Sequence, residues 1–245
     1  MGNDAYIAAS GASTQLRDLD VVANNLANAG TPGFKRNESI FRAVYEAALR
    51  DVQGERAPGA PGATFVRTDE VGTDFARGSA QKTGSPLHAL IDGRGFFEVL
   101  TPSGPRYTRA GNFIINTTGQ LSTPSGYPVM GDGGPIQIGD ADATIHPSGN
   151  VVDRNGNAFG RIKVVEFQDV HGLSRDGETL FRAGETDAGT PAASTALIPE
   201  SIEGSNVQPA NELANLVMLQ RAFEVNLRAM QIDDETTLNL IEGIR

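Results

Sequence analysis

Histidine, cysteine and paired carboxylates carry most side-chain chemistry near neutral pH, so their spacing is the first thing to weigh. The chain has three histidines, His88, His146 and His171, and no cysteine. None of the three has a second histidine or a carboxylate at a metal-ligand spacing. The lack of cysteine excludes disulfides, thiolate metal sites and a cysteine nucleophile. Asp153-Arg154-Asn155-Gly156-Asn157 resembles the start of a calcium loop, but the glycine comes too early and the closing position is Val164, not glutamate. It reads as a hairpin turn. No G-x-S-x-G, G-x-x-x-x-G-K or G-x-G-x-x-G run occurs. The run Asp233-Asp234-Glu235 reads as a solvated helix face. No catalytic, cofactor-binding or metal residue is therefore expected, and no small-molecule substrate.

Bulk properties narrow the partners. The net charge is −10, and lysine and arginine are not clustered, which argues against nucleic acid. No stretch reaches the roughly 20 apolar residues that a membrane span needs. The opening Met-Gly-Asn-Asp-Ala-Tyr lacks the basic region and apolar core of a cleaved signal peptide.

The elements that would position any site divide into helical ends and a glycine-rich middle. Residues 4–29 carry a 3-4 stripe of Ala9, Ala12, Leu16, Leu19, Ala23 and Leu26, with Ile7 and Val21 on the far face. Gly30-Thr31-Pro32-Gly33 should end this helix, with Gly30 suited to the left-handed position past its last turn. Its length would be about 39 Å at 1.5 Å per residue. Residues 38–52 carry a second, shorter helical pattern of Phe41, Val44, Tyr45, Ala48 and Val52. Residues 54–62 read as a Pro/Gly/Ala linker, and 63–80 as extended or irregular chain. From 81 to 182 the period drops to two, in short apolar runs such as Phe96-Phe97-Glu98-Val99-Leu100 and Ile162-Lys163-Val164-Val165-Glu166-Phe167. Asn155-Gly156 is the clearest hairpin signal.

The last forty residues predict the second long helix. Its seam reads Leu213, Leu216, Gln220, Phe223, Leu227, Met230, Asp234. The opposite side carries Met218, Val225 and Ile232, where a monomer's surface helix should be charged. The reading is a helix covered from two directions, the second cover coming from other chains. A helix buried in an ordinary large domain has the same appearance.

The expected fold class is α+β. The long N- and C-terminal helices should pair as an antiparallel coiled-coil-like unit around a central all-β module. The expected domains are 1–36 with 206–245 (helical), 37–80 (connecting), 81–182 (β-rich) and 183–205 (return linker). Leu16, Leu19, Ala23, Leu26, Leu213, Leu216, Phe223, Leu227 and Met230 would form the seam within the chain. Ile7, Val21, Met218, Val225 and Ile232 would face neighbouring subunits.

Three separated motifs then match one family. Near the start stand Asn24, Asn25, Asn28, Pro32, Gly33, Phe34 and Lys35, within the run Ala23 to Arg36. The middle has Gly93-Arg94-Gly95-Phe96-Phe97 and Tyr107-Thr108-Arg109-Ala110-Gly111-Asn112-Phe113. Near the end stand Asn206, Val207, Glu212, Gln220, Arg221 and Phe223. Together they resemble the bacterial flagellar basal-body rod proteins, the axial family that includes the hook protein. Within it, the short linker and the run Ile198-Pro199-Glu200-Ser201-Ile202-Glu203 look most like a proximal rod subunit, with the distal rod subunit as the alternative.

The resemblance implies a structural role, with stacked terminal helices building a drive shaft. It implies export through the flagellar type III apparatus without signal cleavage, assembly in the periplasm, and other rod subunits as partners. The motif residues would be interface and turn residues. The competing class is a β-rich binding module or enzyme with helical ends.

Overall fold

A computed structural model describes residues 2–45, 64–139, 142–184, 189–192 and 196–243. The chain divides into two units: a terminal unit of Met1–Leu26, Asn37–Gly72 and Gln208–Arg245, and a middle unit of Ala27–Arg36 and Thr73–Val207.

In the terminal unit, α1 spans Gly2–Ala27 and α2 spans Pro209–Gly243. A two-stranded sheet pairs Asn37–Tyr45 with Thr64–Thr73. The helical pattern expected from residue 38 is thus a strand as far as residue 45, and Ala48 and Val52 lie outside the described residues. Phe41, Val44 and Tyr45 are aromatic or β-branched, types that favour a pleated surface, and tertiary pairing decides between the two periods.

The α+β class stands, but the coiled-coil-like pairing does not. A coiled-coil seam buries its a and d side chains, whereas Leu16, Leu213 and Leu227 are 48%, 50% and 41% exposed. Ala23 is exposed too, and Leu19, Leu26, Leu216 and Phe223 are only half-buried. Ala12 of the expected stripe is buried, but beyond it the face of α1 that turns inward lies one residue back: Asp18, Val22 and Asn25 are buried, with Gln15 half-buried. Across it, Asn226 Nδ2 donates to Gln15 Oε1 at 3.0 Å. Among the described side chains the helices thus meet at an amide pair, while the leucines of the expected seam are exposed or half-buried. Gly30 also differs from expectation, since the left-handed glycine after α1 is Gly33, with φ +70°.

The middle unit is built on a six-stranded antiparallel sheet. In spatial order its strands are Ser174–Arg175, Leu180–Arg182, Gly104–Thr108, Phe96–Thr101, Val164–Glu166 and Thr190–Pro191. Period-two alternation in Phe96–Thr101 sends Phe97 and Val99 into one cluster, with Phe113, Leu121, Val129, Ile145 and Val151. Phe96 goes to the other face, among Tyr107, Val165, Phe167 and Phe181. Phe97 and Phe113 meet edge to face with centroids 4.9 Å apart, an arrangement that aromatic quadrupoles favour.

A three-stranded meander joins Ala143–Ile145, Asn150–Asp153 and Ala158–Arg161. Its second turn is the expected Asn155-Gly156 hairpin, but only Gly156 has positive φ, at +86°. Asp153 replaces the second left-handed residue by organising the turn from its side chain. Its Oδ1 accepts from the backbone N–H of Asn155 at 2.7 Å and of Asn157 at 2.8 Å, which is the Asx-turn device. Two further strand pairs bring the return segment back: Ala196–Pro199 on Ala89–Asp92, and Ser201–Glu203 on Ala80–Lys82.

Candidate functional site

Four stretches distant in sequence converge inside the middle unit: residues 31–36, 74–78, 93–111 and 203–206. Lys35 and Glu203 are at the centre, their side chains 1% and 2% exposed, with Lys35 Nζ 2.6 Å from Glu203 Oε1. The ammonium also donates to Ala76 O at 2.7 Å. Glu203 Oε1 receives the Gly78 N–H at 3.0 Å, and Glu203 Oε2 lies 3.5 Å from Arg109 NH1. Arg109 donates onward to Gly93 O at 3.1 Å. One carboxylate therefore neutralises two buried cations and also accepts a backbone N–H, that of Gly78. A buried ion pair needs such extra hydrogen bonds to offset its desolvation.

Burial sets the electrostatics. It pushes the Lys35 ammonium below its usual range, against the pull of Glu203 in the opposite direction. Arg109 is likewise lowered by burial, with Glu203 opposing. Arg175 is brought down to about 10 by burial. Arg175 donates to Lys35 O and lies over the rings of Phe34 and Phe181, at 4.8 and 5.2 Å. Arg109 lies 5.0 Å over Phe96. The Nε atoms of both arginines are buried without a hydrogen-bond partner among the described residues. The ring faces beneath these guanidiniums supply a cation–π attraction instead.

Glycine is required where two of these stretches touch. A Cβ on Gly33 would stand 2.2 Å from Ala110 N, and φ there is +70°. Gly111, at the end of the third stretch, packs as closely on a strand outside these four, where a Cβ would stand 1.7 Å from Ala89 O. Gly33 N donates to Glu203 O at 2.7 Å, which sets the outgoing chain against the returning one.

Two asparagine amides finish the frame by standing in for ladder partners. Asn206 Oδ1 accepts from Arg36 N at 2.7 Å while its Nδ2 donates to Asp74 O at 2.9 Å. In the terminal unit, Asn25 does the same for one residue, accepting from Asn37 N at 2.8 Å and donating to Asn37 O at 2.9 Å. Asn24 Oδ1 accepts from Asn37 Nδ2, and Asn28 Oδ1 from the Thr31 hydroxyl, both at 3.1 Å.

The arrangement offers cohesion, not turnover. Every named charge at this clasp, the convergence of the four stretches on Lys35 and Glu203, is matched to a partner or a ring, and no group of three metal-ligating side chains occurs among the described residues. The three family profiles that match the chain are described as "Flagella basal body rod protein" over residues 6–35, "Flagellar hook protein FlgE/F/G D1 domain" over 90–158, and "Flagellar basal body rod FlgEFG protein C-terminal" over 198–242. A curated relative from Caulobacter vibrioides, named flagellar basal-body rod protein FlgF, is 34% identical over 100% of this chain and 98% of its own length.

The chain belongs to the flagellar basal-body rod protein family.

Two other relatives in this family are the FlgG proteins of Bacillus subtilis, 33% identical over 96% of this chain and 97% of its own length, and of Caulobacter vibrioides, 34% identical over 93% and 94%. The rod family is structural, so the chain is a structural protein and not an enzyme, a component of the basal body that assembles with other rod components. Three rod-family motifs read from the sequence meet at the clasp. Pro32, Gly33, Phe34 and Lys35 come from the first, Arg109 from the second and Asn206 from the third. Glu203 and Arg175 drew no attention as single residues in the sequence. Only the burial of an acid beside a lysine 168 residues away singles Glu203 out.

The remaining rod-family motif residues lie elsewhere. Val207 and Glu212 are buried, Phe223 is half-buried, and Gln220 and Arg221 are exposed. Of the residues assigned to neighbouring subunits, Met218, Val225 and Ile232 are 67%, 67% and 57% exposed on α2. Val21 is half-buried, Ile7 lies within α1, and Met230 lies within α2.

Proposed function

We propose that the chain is an FlgF-like proximal rod subunit. The observation that carries this is end-to-end agreement with an FlgF protein at 100% and 98% coverage. In a flagellated host lacking its own FlgF, this chain should restore motility. In a host lacking only FlgG it should not. The reverse outcome would assign the distal rod instead, a reading favoured by FlgG relatives at nearly the same identity.

In this reading α2 carries the stacking surface. Met218, Val225 and Ile232 recur every seven residues and form one stripe, because two helical turns return nearly to the same face. Large apolar groups so exposed mark an interaction surface when they are contiguous. Neighbouring rod subunits cover that stripe, together with Ile7 and Val21. The subunit is exported by the flagellar type III apparatus, keeps its N-terminus and assembles in the periplasm. Edman sequencing of the chain from purified basal bodies should begin at Met1 or Gly2. A start further along the chain would defeat the uncleaved-export part.

A further inference from the structure

Asn155-Gly156 is the only asparagine–glycine pair in the chain, and it lies exposed at the tip of a hairpin. Glycine after asparagine leaves the backbone nitrogen unshielded by a side chain. That nitrogen can attack the asparagine Cγ. A bond from Gly156 N to Asn155 Cγ forms, the bond from Cγ to Nδ2 breaks, and ammonia leaves with the proton from the peptide nitrogen. Water then opens the resulting succinimide at either carbonyl, giving aspartate or isoaspartate. The net change is one water taken up and one ammonia released, with no oxidant or enzyme.

The turn opposes that attack. Gly156 N–H, which would have to be freed, donates to Asp153 O at 3.1 Å. Asn155 N–H and Asn157 N–H are both held on Asp153 Oδ1, at 2.7 and 2.8 Å. Asn157 Nδ2 adds a fourth tie to Asp153 Oδ2 at 2.9 Å, and the Asn155 amide itself lies 3.5 Å from that oxygen. The nitrogen cannot swing toward Cγ until several of these bonds open together.

We propose that Asn155 is a latent site of spontaneous deamidation, and that the Asp153 carboxylate is the positioning residue that sets its rate. The consequence of modification is local and structural. Aspartate at 155 places a second negative charge beside Asp153. Isoaspartate adds a methylene to the backbone of a turn that joins Asn150–Asp153 to Ala158–Arg161, the first of which contributes Val151 to the main apolar cluster.

The test is peptide-resolved mass spectrometry of the full chain during incubation at 37 °C and pH 7.4, alongside Asp153→Ala, Asp153→Asn and Asn155→Gln. A hydrogen-bonded turn is worth about one net hydrogen bond or more, so Asp153→Ala should raise the rate at Asn155 by about tenfold. Asp153→Asn keeps an oxygen acceptor and should stay near the native rate. Asn155→Gln should gain no acid at position 155. The native chain in urea, with the turn unfolded, should match or exceed the alanine variant. Equal rates in folded and unfolded native chain would overturn the proposal. So would an Asp153→Ala variant that keeps its circular dichroism spectrum and deamidates no faster than native.

Discussion

The middle unit and the terminal helices solve the burial problem in opposite ways. In the middle unit Phe96, Phe97, Phe113 and Phe181 are each at most 1% exposed, and even Lys35 is 1% exposed. On α2, Met218 and Val225 are 67% exposed. The first region completes its core within one chain, down to pairing its buried charges. The second keeps large apolar side chains in water, and its inward contacts are partly amide to amide. A long helix takes most of its stability from packing. The β-rich unit thus completes itself within one chain, whereas α2 carries an apolar stripe that the proposed stacking would cover.

The most severe break of this contrast falls on the middle unit. Glu203→Gln should strand Lys35 and Arg109 as unneutralised buried cations and cost about 3–5 kcal/mol, read as a lower urea midpoint. Phe97→Ala should cost a similar 3–5 kcal/mol through the cavity it leaves. Gly33→Ala should cost more than about 1 kcal/mol, because alanine resists positive φ and its methyl meets the Ala110 backbone.

Much of the middle unit was legible beforehand because period-two alternation is a local property. Phe96 to Thr101 shows it without reference to anything else. The clasp was not legible, since nothing in one sequence says that position 203 faces position 35. The helix pairing misled for a different reason. Leu16, Leu213 and Leu227 satisfy an a/d pattern, but the pattern does not say which chain covers it. Asn25 and Asp18, the polar residues that turn inward, look like surface by type alone. Asn25 reaches the backbone of Asn37, a partner outside the helix that helical periodicity cannot reveal.

The contrast sharpens at α2. Ile232→Asp should change the stability of the isolated chain by no more than about 0.5 kcal/mol and yet abolish swimming in a complemented strain. A mutant that swims normally would show that this stripe is not covered. The smallest effect concerns His88, whose imidazole burial holds below its usual 6.5. Its folded form binds fewer protons than its unfolded form just below that value. Stability should therefore rise with pH through that window and fall as acid is added. His88→Gln should flatten this part of the pH dependence in thermal melts.

Residues 33 and 203 stand on one another's doorstep, joined N to O at 2.7 Å. Everything threaded between them is a detour that ends where it began. A chimera that exchanges the whole excursion between two relatives must keep these two junctions and the bonds by which Asn206 holds Arg36 and Asp74 and Asn25 holds Asn37.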